Sequence, residues 1–309
     1  MRPWSTKSLL GQLQLTRISE RKRFDHMHLR ATASRAASIL ARNPSLFCRI
    51  ALAKLNTARP MPVLPTSRRI NNVLFEYDLA NYRGTAPMYF GSYGLLVIEA
   101  MKRFLKPGDV FFDVGANIGY LSAIAAGLVG NAGQVHAFEP VPDYFTKLQR
   151  LACTNPQYSI TTNCCAAGDT TGYSTIFVTH EPSQNTLLPF YKSADEIANA
   201  LEVPIIRLDS YIHQKHIERI ALIKIDAEGY EFPVLRGLET YLEHTANRPA
   251  IICEIAPRAY PLTGATLADF RAYMSHFGYE ARDLIDAATS VDIRAIQQVE
   301  DVLFLPVKA

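Results

Sequence analysis

The sequence predicts an α/β fold in which strands of one largely parallel sheet alternate with helices covering both faces. Two observations carry this. Short, almost wholly apolar runs such as "VFFDV" and "LIKI" each precede a stretch with helical spacing. Strands buried on both faces read this way, whereas a half-solvated sheet would alternate apolar and polar residues. The chain of 309 residues, 48% of them hydrophobic, is also long enough to bury a sizeable core.

The first element is a basic extension. Residues 1–70 carry 14 Lys and Arg against Glu20 and Asp25, a balance of +12, which leaves the remainder at −9. Within it, "ATASRAASILARNPSLFCRIALAKL" (31–55) has helical spacing on both sides of Pro44, and "ARPMPVLPTSRR" (58–69) reads as a stiff linker. The expected division is therefore an extension over 1–70 and a folded domain over 71–309. A basic arm is a candidate for contact with an anionic surface, and also for a solvated helical extension. Its start lacks a convincing secretory signal, although an Arg-rich, acid-poor segment also suits an organelle transit peptide. No apolar run approaches the roughly 20 residues of a membrane span, so no transmembrane segment is expected. Five cysteines without metal-ligand spacing suggest reduced thiols and a cytoplasmic location.

In the body, "GLLVIEAMKRFL" (94–105) reads as an amphipathic helix stopped by Pro107-Gly108. "DVFFDV" is a strand and "NIGYLSAIAAGLVG" its helix. "GQVHAFEP" and "PDYFTKLQRLACTN" form the second such pair, and "SITTNCCAAGD" a third strand. Residues 172–178 and 203–208 read as extra β structure. "IALIKIDAEG" is a fourth strand with "YEFPVLRGLETYLE" as its helix. "PAIICEIAP" is a fifth, followed by the helix "ATLADFRAYMSHFG". "YEARDLID" and "DVLFLPV" close the domain.

Three of these strands end on acids, Asp113, Glu139 and Asp226, with Glu254 near the end of a fourth. Each alone could cap a turn, but together they line one rim of the sheet, where ligands of parallel α/β folds bind. Packed carboxylates repel one another, so a ligand or cation that offsets them is expected. Gly115 and Gly119 permit close approach and place helix N–H groups at the turn. Glu139 follows Gly119 by 20 residues and tops the next strand, a position suited to the two hydroxyls of a ribose. The turn lacks the middle glycine of GxGxxG, and Asp113 sits badly beside a phosphate. Both facts disfavour a nicotinamide-dependent dehydrogenase. They suit a positively charged nucleoside such as S-adenosylmethionine.

The segments "GDVFFDVGANIGYLS", "VHAFEPVPDYFTKL", "VPIIRLDSYI" and "IALIKIDAEGYEFPVLRGL" resemble, in order and spacing, the FkbM-type family of S-adenosylmethionine-dependent methyltransferases. The most specific part is "IKIDAEGYE" (223–231), similar to the family's KxDxEGxE signature. The resemblance implies a class I methyltransferase fold, a Rossmann-like seven-stranded sheet with an antiparallel last strand. It further implies that Asp113, Gly115, Asn117 and Gly119 hold the methionine part of the cofactor. Glu139 would hold the ribose, and Asp169 would lie beside the adenine.

Methyl transfer needs an aligned acceptor and, for an alcohol, removal of its proton. Asp226 and Glu228, at the fourth strand end, are the candidates for acceptor orientation or proton removal, against a helix-capping alternative. Glu231 is expected to support the first helical turn. Lys224 alternates with apolar neighbours and needs a partner such as Asp226 or Glu254. His180, Asn185 and Glu254 are candidate acceptor-side residues, with Gln184 beside them. His136 is expected to be a packed strand position. Tyr82, Tyr89, Phe90 and Tyr93 are candidates for a lid. No metal is assigned, although the acids could hold a divalent cation. The expected activity is O-methylation of a hydroxyl on a glycan, glycolipid or secondary metabolite. The alternative is a nucleic-acid or protein methyltransferase that docks through the basic arm, disfavoured by the few aromatic residues there.

Overall fold

The computed structural model describes residues 67–77, 85–89, 91, 93–181 and 183–307, with positions 37, 40–41, 44–48 and 51. The chain divides into two units, Met1–Leu55 and Asn56–Ala309. In the first, residues 44–48 are helical. Apart from these positions and residues 67–70, the basic arm lies outside the described residues, as do Tyr82 and Phe90 of the expected lid.

The second unit opens with a hairpin of β1 (Ser67–Ile70) and β2 (Val73–Glu76), which crosses residue 70. Asn71 and Asn72 make its two-residue turn at φ 48° and 70°. Asparagine tolerates the left-handed region that such a turn demands of both positions. The buried Asn155 ties the hairpin down, accepting the N–H of Leu74 at 2.7 Å and donating to its carbonyl at 2.8 Å. Then follow α1 (Thr85–Tyr89), α2 (Leu95–Phe104), β3 (Val110–Val114), α3 (Tyr120–Val129), β4 (Gln134–Phe138), α4 (Pro142–Thr154) and β5 (Ser159–Asn163). A second group comprises β6 (Ala166–Ala167), β7 (Gly172–Thr179), β8 (Ile197–Ile206) and α5 (Leu208–Gln214). The chain ends with β9 (Leu222–Ile225), α6 (Glu231–Arg236), α7 (Glu239–His244), β10 (Ala250–Ile255), α8 (Leu267–His276), β11 (Tyr279–Arg282) and β12 (Glu300–Pro306).

Seven strands form one sheet in the order β11-β12-β10-β9-β3-β4-β5, with β12 antiparallel to both its neighbours. This is the seven-stranded sheet with an antiparallel last strand expected from the sequence. Strand order reverses between β3 and β9, so the cleft outside their carboxyl ends is the natural ligand position. One face buries Phe111, Leu222, Ile252 and Leu303 against α2, α3 and α4. The other buries Phe112, Ile223, Ile251 and Phe304 against α5 to α8. Residues directly beside one another on paired strands share a face, so each strand contributes alternately to two cores.

β6, β8 and β7 form a separate three-stranded sheet. β8 begins at Ile197, upstream of the expected 203, because "IANALE" mixes small and polar residues and carries little β signal. The single helix expected over 230–243 is two, α6 and α7. The carbonyl of Gly237 accepts the N–H of Asp209 at 2.8 Å, and a β-carbon there would meet Gly168 O at 2.0 Å. α3 starts at Tyr120, past the expected Asn117, because residues 115, 117 and 119 all take positive φ. The five cysteines are free thiols. Among the described residues, no helix is long and apolar enough to cross a membrane.

Candidate functional site

The site grows from the turn after β3. Gly115, Asn117 and Gly119 have φ 81°, 50° and 86°, which winds the chain sharply into α3. The N–H groups of Gly115 and Ala116 both donate to the carbonyl of Phe138 at 3.0 Å, fastening the turn to the end of β4. Gly115 is required by its surroundings as well as by its φ, since a β-carbon would fall 1.7 Å from the carbonyl oxygen of Asp226. At Gly119 it would meet Leu148 and Leu151 of α4 at 2.8 Å. These glycines therefore permit close approaches within the protein, and Gly115 also lines the cleft at this rim.

Glu139 lies at the next strand end. Its Oε2 accepts the N–H of Asn117 and its Oε1 that of Val141, each at 2.8 Å. Burial pushes this carboxyl up to about 7 even against those N–H donors. Each oxygen retains a second lone pair for a ligand hydroxyl. Asp113, also buried, accepts a hydrogen bond from Ser122 at 2.5 Å, and desolvation raises it to about 6.

A cleft opens at this rim. Its lining includes Phe138, Glu139 and Pro140, Cys165 and Ala166 with Leu187, and Asp226 to Glu228. A smaller recess, lined by Asp113, Tyr93 and Tyr120, shares Gly115, Asn117 and Asp226 with it.

Beyond Asp226 the site becomes strongly acidic. Register places Lys224 beside Asp113 on β3 and Ile252 on β10, and Glu254 beside Asp301 on β12. Lys224 is 1% exposed in a central strand and ion-pairs with Asp226 at 3.2 Å and Asp301 at 3.0 Å. Burial alone would lower its pKa, but the charges of Asp226, Asp301 and Glu254 hold it well above the usual lysine range. Glu228 has φ 48°, a costly conformation outside glycine. Its carbonyl accepts the Thr186 hydroxyl at 2.8 Å, and its carboxylate lies 3.8 Å from Lys192. Burial, and then Asp226, push Glu228 up to about 8; burial with Asp226 and Glu231 pushes Glu254 to about 10. One oxygen from each of Asp226, Glu228 and Glu254 lies within 4.8 Å of the others. Glu231 is fully buried, and its Oε1 accepts the N–H groups of Ala227 and Gly229 at 3.1 and 2.9 Å, supporting the turn before α6.

Of the residues singled out in the sequence, Gly115, Asn117, Glu139, Asn185, Asp226 and Glu228 line the main cleft. Asp113 lines the recess, and Lys224 and Glu254 lie behind and beside Asp226. Gly119 packs on α4. Asp169 falls elsewhere: its carboxylate pairs with Arg236 at 2.5 Å and its carbonyl accepts from Arg207. His180 is exposed and outside the cleft lining. Asn185 accepts the N–H of Thr179 at 2.9 Å. His136 is a packed position that shares a 2.8 Å hydrogen bond with the Tyr211 hydroxyl, and burial pushes it down to about 4. Sequence reasoning missed Asp301 as the second partner of Lys224. It also missed Tyr191 and Lys192, which lie in a loop without periodicity. An acid at the start of "DVLFLPV" was the available clue to Asp301.

A parallel sheet in this strand order with one antiparallel strand, and an acid-lined cleft at its switch point, defines the class I methyltransferase architecture. A profile of the Methyltransferase FkbM domain matches residues 113–281, more than half the chain, and the chain belongs to this family. It is 30% identical over 163 residues to the 31-O-demethyl-FK506 methyltransferase FkbM of Streptomyces tacrolimicus, covering 44% of this chain and 61% of that one. It is 26% identical over 153 residues to the hexuronic acid methyltransferase AglP of Haloferax volcanii, covering 48% and 57%. The chain thus spans about three fifths of the length of these curated relatives. Among solved structures, it resembles a methyltransferase FkbM from Methylobacillus flagellatus KT at 16% identity and TM-score 0.40, covering 87% of this chain and 60% of that one.

Proposed function

We propose that the chain is an S-adenosylmethionine-dependent O-methyltransferase acting on a hydroxyl of a glycan, glycolipid or secondary metabolite. The observation that supports it most is the cleft itself, lined by Glu139 and by Asp226 with Glu228. The residues fit the cofactor. Glu139 has lone pairs for two ribose hydroxyls, Cys165 and Ala166 offer a wall for a flat base, and the acids suit a sulfonium and an ammonium. A pyrophosphate would meet Asp113 and Asp226 as like charges, which disfavours a dinucleotide.

When bound, the cofactor supplies an electrophilic methyl group, whose bond to sulfur breaks as the acceptor oxygen attacks in line. The chain's task is to place that oxygen and take its proton. Asp226 is held from behind by Lys224, itself anchored on Asp301, so its carboxylate is fixed at the cleft. In this reading Asp226 accepts the proton, and Glu228, Glu254 and Asn185 contact the acceptor. The two relatives named above carry names for methyl transfer to 31-O-demethyl-FK506 or to a hexuronic acid, which supports a small hydroxylated acceptor. Incubation with methyl-labelled S-adenosylmethionine and fractionated glycans and metabolites tests the reading. Label in a hydroxyl-bearing product is expected, and label recovered only in nucleic acid or protein would refute it.

A further inference from the structure

We propose that Asp226, Glu228 and Glu254 form a binding site for one hard divalent cation of the Mg²⁺ or Mn²⁺ type. Oxygen ligands bound at the usual 2.0–2.6 Å lie at most about 5 Å apart, and these three acids already place one oxygen each within 4.8 Å of the others. They come from fixed backbone. Asp226 follows β9, Glu254 is within β10, and Glu228 is pinned in its left-handed conformation by the Thr186 hydroxyl.

An independent observation points to a missing partner. Glu231 is 0% exposed, and although its Oε1 takes two backbone N–H groups, its Oε2 has no hydrogen-bond partner. Glu231 lies among the same acids: Asp226 raises its pKa, and it raises those of Glu228 and Glu254 in turn. Buried acceptors without donors are rare, and each calls for an ion or other unseen partner.

The cluster is also sparsely paired. With Asp301, five carboxylates meet here, and among the described residues their ion pairs come from Lys224 and Lys192. Lys224 is shared between Asp226 and Asp301, and Lys192 reaches Glu228 only at 3.8 Å. The donors are all oxygen, with neither histidine nor cysteine, which selects a hard cation over zinc. Three protein ligands leave positions open for water or for an acceptor oxygen. The last of these rests on the methyl-transfer reading, whereas cation binding does not.

The test uses the full chain, stripped with EDTA and titrated with MnCl₂ while electron paramagnetic resonance counts free Mn²⁺, with no methyl donor present. One Mn²⁺ per chain is expected, with Glu228→Gln and Glu254→Gln each weakening it at least tenfold while circular dichroism stays unchanged. Glu228 lies at the cleft surface, so its variant tests the site even if Glu254→Gln misfolds. No Mn²⁺ retained at about 1 mM, the weak end of carboxylate sites, would overturn the proposal. So would equal binding by the wild type and a folded variant. A separate titration with S-adenosylmethionine keeps failure of this site distinct from failure of the methyltransferase reading.

Discussion

Gly115 and Asp226 touch through backbone alone: the carbonyl oxygen of Asp226 lies 1.7 Å from where a β-carbon on Gly115 would fall. Asp226 in turn donates its N–H to Val114 at 3.0 Å, so the ends of β3 and β9 are locked together at the cleft. Gly115→Ala is expected to cost about 2–4 kcal/mol, combining left-handed strain with overpacking. Gly108→Ala is the control, because Gly108 has φ 88° but nothing within 4 Å of its β-carbon position. It should lose only about 1 kcal/mol. Urea unfolding of both variants checks this, and equal losses would show that the close contact does not matter.

Asp226→Asn keeps the size of the side chain but removes the proton acceptor. Turnover should fall by about 10²–10⁴-fold, the usual worth of a positioned base, with cofactor affinity changed far less. Equal losses in turnover and affinity would reject the assignment of Asp226 to the acceptor.

Lys224→Met should be destabilising, by about 1–3 kcal/mol, because Asp226 and Asp301, each about a third exposed, would lose the cation between them. The double variant Lys224→Met/Asp301→Asn should recover part of the loss. Denaturant midpoints of the two proteins decide this, and no recovery would mean that the Lys224–Asp301 pair is not coupled.

Stability of the ligand-free protein should depend on pH in an unusual direction. Burial raises Asp113 from 3.8 to about 6 and Glu139 from 4.5 to about 7. The folded chain therefore holds protons that the unfolded chain has released, and this contribution is lost as pH rises through about 6 and 7. His136, pushed down from 6.5 to about 4, works oppositely, but only below pH 6.5. The thermal midpoint should accordingly drop between pH 6.5 and about 8, and Glu139→Gln should make that drop shallower. A midpoint that rises over this window would contradict the burial argument.

Much of this was legible in the sequence because apolar strands and glycine turns are local signals. "VFFDVGANIGY" specifies a buried strand, an acid and a left-handed turn within a few residues. The acids Asp113, Glu139, Asp226 and Glu254 could be placed on one rim because each sits at or near the end of an apolar run. Less was legible where meaning depends on distant partners. Asp169 looked like a loop acid near a ligand, but Arg236, far along the chain, takes its carboxylate. Lys224 announced its need for a partner without revealing Asp301, which arrives on the antiparallel strand β12. The glycines read as room for a ligand; Gly115 lines the cleft but also makes room for a neighbouring carbonyl, and Gly119 for two leucines. The segment bearing Leu188, Tyr191 and Lys192 has no periodicity, and only the fold brings it against Glu228 and Ala259.

The most direct measurement is calorimetric titration of the wild type and Glu139→Ala with S-adenosylmethionine, and of the wild type with NADH. The account predicts that S-adenosylmethionine binds one site per chain, that Glu139→Ala weakens it at least tenfold, and that NADH gives no heat. Tight NADH binding with no S-adenosylmethionine binding, or an affinity untouched by loss of Glu139, would contradict it.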